Sequence, residues 1–575
     1  MQPVDFTTLT AACSELRTHW LPSRLEQVYQ RDRYTIAIAL RTLKTRGWLE
    51  VSWHPQAAHI GIGHPPPRTP DTFTFSQQLI HQLGGLALVG IEAIAPWERV
   101  IDLQFARRPG EEALYHLYVE VMGKYSNAIL TEANNLIITA AHQVSQQQSS
   151  VRPIQTGQPY ETPPKLTGPV PSLHESPTRW QERISLVPGA IKKQLLKSYS
   201  GLSAALVESM LLAANIAPDT NTDSLTPEDW QRLWQNWQLW LQTLEKGNFQ
   251  PAWTPDGYTV MGWGGVTPAK DVQTLINEYY TGKLNQQLFT QLRHQLTQKL
   301  NNILGKLRNK AQTFSDRLQQ SDQADDYRQK ADLLMAHLHE WQAGMKTINL
   351  QDFETGEPVA IALQPDKNAV QNAQNLYKQH QKLKRARIAV EPLLQDVQTE
   401  IDYLEQVEAA ISQIDNYQTA EDLQALEEIR DELIGQKYLE ELDYRRRSNE
   451  TTSINFRNYS TPNGFQVLIG RNNSQNDQLT FRVAGDYDLW FHAQEIPGSH
   501  VLLRLEPGAV PDNTDLQFVA NLAAYYSRAR QSDQVPVVYT EPKHVYKPKG
   551  AKPGIAIYKQ ERIIWGKPQL VELGV

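Results

Sequence analysis

One cysteine, Cys13, occurs in 575 residues. A lone thiol excludes an intramolecular disulfide framework and every Cys-x-x-Cys zinc or redox site, and such a residue reads as a small buried apolar side chain. The chain also lacks the Gly-x4-Gly-Lys-Ser/Thr phosphate loop, the His-Glu-x-x-His zinc helix and the Gly-x-Ser-x-Gly nucleophile elbow. ATPase, metalloprotease and α/β-hydrolase chemistry are therefore without their residues. No run approaches the roughly 18 apolar residues of a membrane span, and Met1-Gln2-Pro3-Val4-Asp5 has no basic and apolar leader pattern. These absences predict a cytoplasmic protein that needs no membrane, metal or cofactor. No excess of positive charge is present either: 56 Lys and Arg against 63 Asp and Glu give a net charge of −7. Any contact with nucleic acid must come from local basic patches.

At about 150 residues per domain the length suggests roughly four domains. Residues 1–142 alternate strand-like runs at 34–40, 86–91, 113–122 and 137–140 with helical runs at 7–20 and 74–83, an α+β pattern. Residues 145–179 hold Pro153, Pro159, Pro163, Pro164, Pro169, Pro171 and Pro177, which reads as a linker or as an extended segment wrapping a neighbour. Residues 180–246 are helical, with a start signal at Thr226-Pro227-Glu228-Asp229. The Trp230, Trp234 and Trp237 that follow share a helical face, read here as core. Leu284 to Leu318 recur every three or four residues. After an interruption, Leu376, Leu383, Val390, Val397, Leu404 and Ile411 repeat at sevens, predicting an antiparallel coiled-coil hairpin with a small strand-bearing tip. Arms of around 50 residues would reach about 75 Å, with a kink at Pro392. From residue 451 strands and turns return, followed by a helix over 515–530.

Two segments carry candidate recognition chemistry. In the first domain a strand runs into Met122-Gly123-Lys124-Tyr125-Ser126-Asn127: a backbone turn, a phosphate-type cation, a stacking ring and two short hydrogen-bonding side chains. An ordinary hairpin turn uses the same residues. Upstream, Glu98-Arg99 opens an alternating strand, so the two side chains face opposite ways. In the last domain Asp488, Trp490 and His492 share one strand face, continuing into Ser499-His500 and preceded by Arg471-Asn472. This is either a single-stranded RNA platform, with Trp490 stacking and Arg471, Lys543 and Lys547 on phosphates, or an Asp-Trp-His cluster stapling strands. His492 and His500 read as structural, and a basic run at Lys378, Lys382, Lys384, Arg385 and Arg387 lies on the second arm.

Glu120-Val121-Met122-Gly123-Lys124-Tyr125-Ser126-Asn127 resembles the Glu-x-Met-Gly-(Lys/Arg)-(His/Tyr)-Ser-Asn signature of the NFACT family. Asp488 to Ala493 with Pro497-Gly498-Ser499-His500 resembles that of the family's C-terminal RNA-binding domain. Gly470-Arg471-Asn472, Asn476-Asp477 and Ala523-Ala524-Tyr525-Tyr526-Ser527 agree with it. Two positions depart: Glu98 stands where the family has Asp beside Arg, and Asp5-Phe6-Thr7 replaces a Phe-Asp-Gly stretch.

The resemblance implies a multidomain α+β fold: an NFACT-N domain with the proline-rich linker over 1–179, a helix-hairpin-helix-like domain over 180–265, the hairpin over 266–440 with its tip at 342–367, and an NFACT-R domain over 441–575. It implies a ribosome quality-control factor, not itself an enzyme. Such a factor binds a large (50S) subunit and its rRNA obstructed by peptidyl-tRNA, and recruits alanyl-tRNA so that the subunit's own peptidyl-transferase centre adds an alanine tail. It also implies tRNA contacts at Glu98, Arg99 and 122–127, RNA contacts in the last domain, and a small RqcP-type RNA-binding partner. The alternatives are an extracellular fibronectin-binding adhesin and a DNA glycosylase-like protein. The latter needs an N-terminal Pro followed by Glu, where this chain has Gln2-Pro3.

Overall fold

The computed structural model describes residues 1–66, 70–149, 151–164, 167–440 and 455–571. It divides into two compact units, the first formed by Met1–Asn285 and the second by the described residues from Gln286 onward.

The first unit opens on helix α1 (Phe6–Trp20), whose N-cap Asp5 accepts from Thr8 N at 2.8 Å. Its apolar face, Leu9, Ala12, Cys13 and Leu16, is buried in the main core. Cys13 is a packing residue there, and burial pushes its thiol pKa up to about 12. The strands are β1 (Ser23–Asp32), β2 (Thr35–Arg41), β3 (Arg46–Ser52) and β4 (His59–Gly63), then, after helix α2 (Thr74–Leu83), β5 (Ala87–Ala93), β6 (Val100–Ala106), β7 (Tyr115–Glu120), β8 (Asn127–Glu132) and β9 (Ile137–Ala140). They form one sheet in the order β4-β3-β2-β1-β5-β6-β7-β8-β9. Side chains of β6 and β7 alternate as a strand requires. Ile101, Leu103, Phe105, Leu117 and Val119 enter the main core, while Val100 and Tyr118 belong to a second apolar cluster on the other face.

That second cluster is completed by the proline-rich stretch. Ile154 exchanges backbone hydrogen bonds with Val144, and Tyr160 N donates to Asn135 O at 2.8 Å. Tyr160 then stacks on Tyr118, with ring centroids 4.1 Å apart and planes within 6°. Residues 151–160 are thus an extended strap along the sheet edge, the second of the two readings of this segment.

Four helices follow: α3 (Pro177–Ser185), α4 (Ile191–Ser198), α5 (Ala204–Ala213) and α6 (Pro227–Lys246). Thr226 caps α6 through a reciprocal pair with Asp229. Trp180 sits among Trp230, Trp234 and Trp237 at centroid distances of 5.8, 5.1 and 5.6 Å. The tryptophan stripe is therefore packed core.

Helix α7 (Val272–Ser321) begins in the first unit, and the rest of it belongs to the second, with α8 (Ala324–Ala336) and α9 (Ala369–Ser412). The contacts run antiparallel: Arg293 with Ile414 O, Arg308 with Glu405, Asp322 with Arg387, and Ala324 O with His380. Strands Thr347–Gln351 and Pro358–Ala362 pair at the far end. They bury Ile348, Leu350 and Ile361 against Leu333, Leu334 and Ala373. Near the base a third helix, α10 (Ala420–Gly435), joins the seam. Leu296, Leu300 and Leu304 meet Val397, Leu404 and Ile411, and α10 adds Leu423, Leu426, Ile429 and Leu433. Heptad periodicity on α9 did not foretell this three-helix packing, because a third helix reads the same stripe. Toward the middle, Leu383 and Leu394 are only half-buried.

The remainder builds a six-stranded sheet in the spatial order Arg457–Ser460, Gln466–Ile469, Val501–Leu503, Leu489–Ala493, Val535–Thr540, Arg562–Gly566. Helices α11 (Asn473–Gln478) and α12 (Asn513–Tyr525) complete it. One face packs on Val519, Ala520, Leu522 and Ala523 of α12.

Candidate nucleic-acid interface

In the first unit, register places the two sequence-predicted segments side by side. Val100, the first residue of β6, pairs with Glu120, the last of β7, and Glu120 pairs with Asn127, the first of β8. Glu98-Arg99 and the 121–126 loop therefore leave the same end of adjacent strands, and Val121 N donates to Arg99 O at 2.9 Å.

Each residue of the loop has a separable role. Gly123 has φ +60°, a conformation L side chains rarely adopt, and a Cβ there would lie 3.7 Å from Pro55 O. Ser126 Oγ accepts from Met122 N at 2.8 Å and closes the turn. Asn127 spans to the chain after β9: its Nδ2 donates to His142 O at 2.7 Å, and its Oδ1 accepts from His142 N at 2.9 Å. Ser126 and Asn127 are buried, 6% and 3% exposed. They build the loop instead of facing a ligand. What they hold out is Lys124 and Tyr125. Tyr125 is 70% exposed, with the Lys124 ammonium 4.9 Å from its ring centroid. A flat ring beside a cation is suited to a nucleobase and its phosphate.

Glu98 is buried, while Arg99 is half-buried and donates from Nη1 to Val4 O at 3.3 Å. The preceding Trp97 has φ +68°, and its ring wedges between Phe6 and Trp240 at centroid distances of 4.7 and 5.5 Å. A bulky residue held there needs surroundings that over-determine it, and here α1 and α6 supply them.

Sequence reading missed the brace beneath this site. Glu120, 1% exposed, accepts from Arg152 Nη1 at 3.0 Å, also from Nη2, and from the Tyr160 hydroxyl at 2.9 Å. Burial together with this carboxylate pushes the Tyr160 hydroxyl pKa far up, so it stays a donor. Only the odd placement of an Arg within the proline-rich run signalled the pairing.

In the last domain the structure sorts the candidates differently. Trp490 is 1% exposed, with its indole N–H donating to Thr480 Oγ1 at 3.0 Å, and it offers no ring face to a base. Asp488, 2% exposed, accepts from Gly485 N and Leu505 N and pairs with Arg504 at 3.1 Å. His500 shares Thr480 Oγ1 at 2.7 Å. His492 stacks on Trp490, and burial lowers its pKa to about 4 and that of His500 well below normal, so both rings are neutral at pH 7. Buried structural roles, not a stacking platform, describe these residues: Trp490 and His500 share Thr480, while Asp488 separately braces Gly485, Leu505 and Arg504.

Arg471, Asn472 and Ser499 are also turned inward. Arg471 pairs with Asp422 at 3.1 Å, Asn472 Nδ2 donates to Glu428 at 2.6 Å, and Ser499 Oγ donates to Gln413 at 3.1 Å. These partners all lie at the base of the helices, on α10 or just after α9, so these three RNA-binding candidates form an intramolecular joint. Lys547 pairs with Asp477, and the more exposed Lys543 with Glu541. Among the described residues no cluster of three or more His, Cys, Asp or Glu is placed to hold a metal ion, and no helix is long and apolar enough to cross a membrane.

The model of the NFACT N-terminal and middle domains matches residues 5–452, and that of the NFACT protein RNA binding domain matches residues 455–559. The Rqc2 homolog RqcH of Bacillus subtilis (strain 168) is 28% identical over 573 residues, covering 96% of each chain. RqcH of Streptococcus suis (strain 05ZYH33) is 28% identical over 568 residues, covering 96% of this chain and 95% of that protein. The solved C-terminal part of the fibronectin/fibrinogen-binding protein from Streptococcus suis is 31% identical, covering 49% of this chain and 95% of that one, with a TM-score of 0.37.

Proposed function

This chain belongs to the NFACT family, and on that premise we propose that it is an RNA-binding ribosome quality-control factor acting in the cytoplasm. In this reading it binds large (50S) subunits obstructed by peptidyl-tRNA and holds alanyl-tRNA, so that the subunit's own peptidyl-transferase centre extends the stalled chain with alanine. The protein forms no covalent bond itself. The paired helices α7 and α9 serve as a coiled-coil lever toward the ribosomal surface, and a small RqcP-type protein is a candidate partner.

The observation that supports this best is the juxtaposition in the first unit. Arg99 and the exposed Lys124-Tyr125 pair leave one end of the sheet on adjacent strands, joined by the Val121 to Arg99 hydrogen bond. A cation, a second cation and a ring at one end of these strands suit a folded RNA with unpaired bases. Glu98 in place of Asp keeps the charge beside Arg99, and its extra methylene is accommodated in a buried position.

The test is to purify tagged protein gently from its native cells and sequence the associated RNA. Large-subunit rRNA with little small-subunit rRNA, plus enriched alanine tRNA, is expected. Large-subunit rRNA without that tRNA would remove the tailing step, and absence of RNA would sink the ribosomal reading. With purified protein, neutralising about six phosphates gives a log-log salt slope near −5. Arg99→Ala should weaken tRNA binding while the fold is kept.

A further inference from the structure

With Trp490 buried, the last domain needs another aromatic if it is to hold unpaired bases, and one stands at the sheet margin. The strand Arg562–Gly566 is the edge of the six-stranded sheet. On it Ile563 and Trp565, two residues apart and so on one face, are 54% and 55% exposed. Their cross-strand partners are Val538 and Pro536. Val538 packs against Trp490 and Leu502, so the exposed pair extends the covered face outward to its rim. Over residues 559–567 three cations, Lys559, Arg562 and Lys567, stand against one acid, Glu561. All three cations are exposed.

We propose that Trp565, backed by Ile563, stacks a nucleobase of single-stranded RNA, with Lys567, two residues beyond Trp565, on a flanking phosphate. This deepens the proposed function and rests on it. An extended peptide adding to the edge is the competing occupant, and the backbone argues against it. Strand addition needs the outward main-chain groups. At this edge Trp565 O already accepts from Gln517 Nε2 at 2.7 Å, and Lys567 N donates to Asn521 Oδ1 at 2.7 Å. Helix α12 thus occupies main-chain groups at the C-terminal end of this strand, and beside them the edge offers a ring face among cations, the requirement of single-stranded RNA.

The experiment measures binding of a fluorescent single-stranded RNA 15-mer, and of the same sequence as a duplex, to the full-length protein. Trp565→Ala should cost about ten-fold on the single strand and little on the duplex, with Trp565→Phe retaining most of the affinity, because stacking needs a π-face and is sequence-tolerant. Lys567→Gln should lower the salt slope by about one. Crosslinking of 4-thiouridine RNA to wild-type protein should label residues 560–567, a measurement that stands whether or not the variant folds. If wild-type protein binds RNA and Trp565→Ala binds it equally, or crosslinks fall elsewhere, the stacking surface is wrong while the RNA-binding reading survives. If wild-type protein binds no RNA at all, the underlying reading fails first.

Discussion

Removing the Arg152 guanidinium leaves the Glu120 carboxylate, 1% exposed, without its counter-charge. Breaking a buried pair from one side costs about 3–5 kcal/mol. The Tyr160 hydroxyl still donates to Glu120 at 2.9 Å, which places Arg152→Ala at the lower end, about 3 kcal/mol. For a unit of this size each kcal/mol moves the midpoint by roughly 2 °C, so thermal unfolding of the first unit should shift down by about 6 °C. Glu120→Gln in the Arg152→Ala background replaces the stranded charge with a neutral amide. The double variant should therefore be more stable than the sum of the single losses by about 1.5 kcal/mol or more. The strap should also loosen: residues 151–160, held to the sheet edge by Val144, Ile137 and Asn135, should become the first site of proteolysis. Calorimetry of the four proteins of the cycle, with timed digestion, reads all of this. Additive losses, or an Arg152→Ala midpoint within about 1 °C of wild type, would refute the clamp.

Three further outcomes follow from the last domain and its joint. Trp490→Phe removes the donor to Thr480 and should destabilise that domain by about 1–2 kcal/mol without changing single-stranded RNA affinity; a ten-fold affinity loss would restore Trp490 as a stacking residue. Asp422→Asn strands Arg471 next to Arg457, whose pKa burial already lowers. It should cost about 2 kcal/mol and speed amide exchange in the first turn of α10, and unchanged exchange there would show that the joint does not depend on this pair. His492 takes a proton near pH 6.5 when unfolded but only near 4 when folded, so the unfolded state binds more protons between those values. Stability should therefore fall as pH drops from 6.5 toward 4, by about 3 kcal/mol from this residue, with His500 adding in the same direction. Urea midpoints across that range should show the slope, and His492→Gln should flatten it; a slope unchanged in the variant would reject His492 as its source.

How much was legible in the sequence depends on which force decided each feature. Helix α2 and strand β9 are found at Thr74–Leu83 and Ile137–Ala140, where the periodicity placed them, because local pattern and tertiary burial agree there. The cap at Thr226 was equally readable, since a capping box is written in four consecutive residues. Strands β1, β3 and β4 were not seen. The pattern of β1 is broken by register shifts at Leu25/Gln27 and Gln30/Asp32, and a bulge resets the period-two signal. The strap was half-legible: composition announced an extended segment, but its attachment is a matter of Arg152 reaching a carboxylate 32 positions earlier.

The candidate site shows where alternation stops informing. Leu489 to Ala493 and Arg562 to Gly566 are both strands, and in each the period of two says which side chains share a face, not whether anything covers that face. Trp490 lies under Leu479, Val545 and Tyr558, chain segments distant in sequence or beyond a turn, and is sealed. Trp565 sits at the sheet margin, where no further strand follows among the described residues. An alternating strand with a Trp and nearby cations thus describes a core staple and an open ring equally well. The same holds for charge. Arg471 looked like a phosphate ligand until α10 placed Asp422 against it, whereas Lys124 keeps its ammonium at the surface. Sequence shows which residues are able to bind RNA. Which of them remain able is decided by long-range packing, and that makes the contrast between Trp490 and Trp565 variants the sharpest test of the fold as well as of the function.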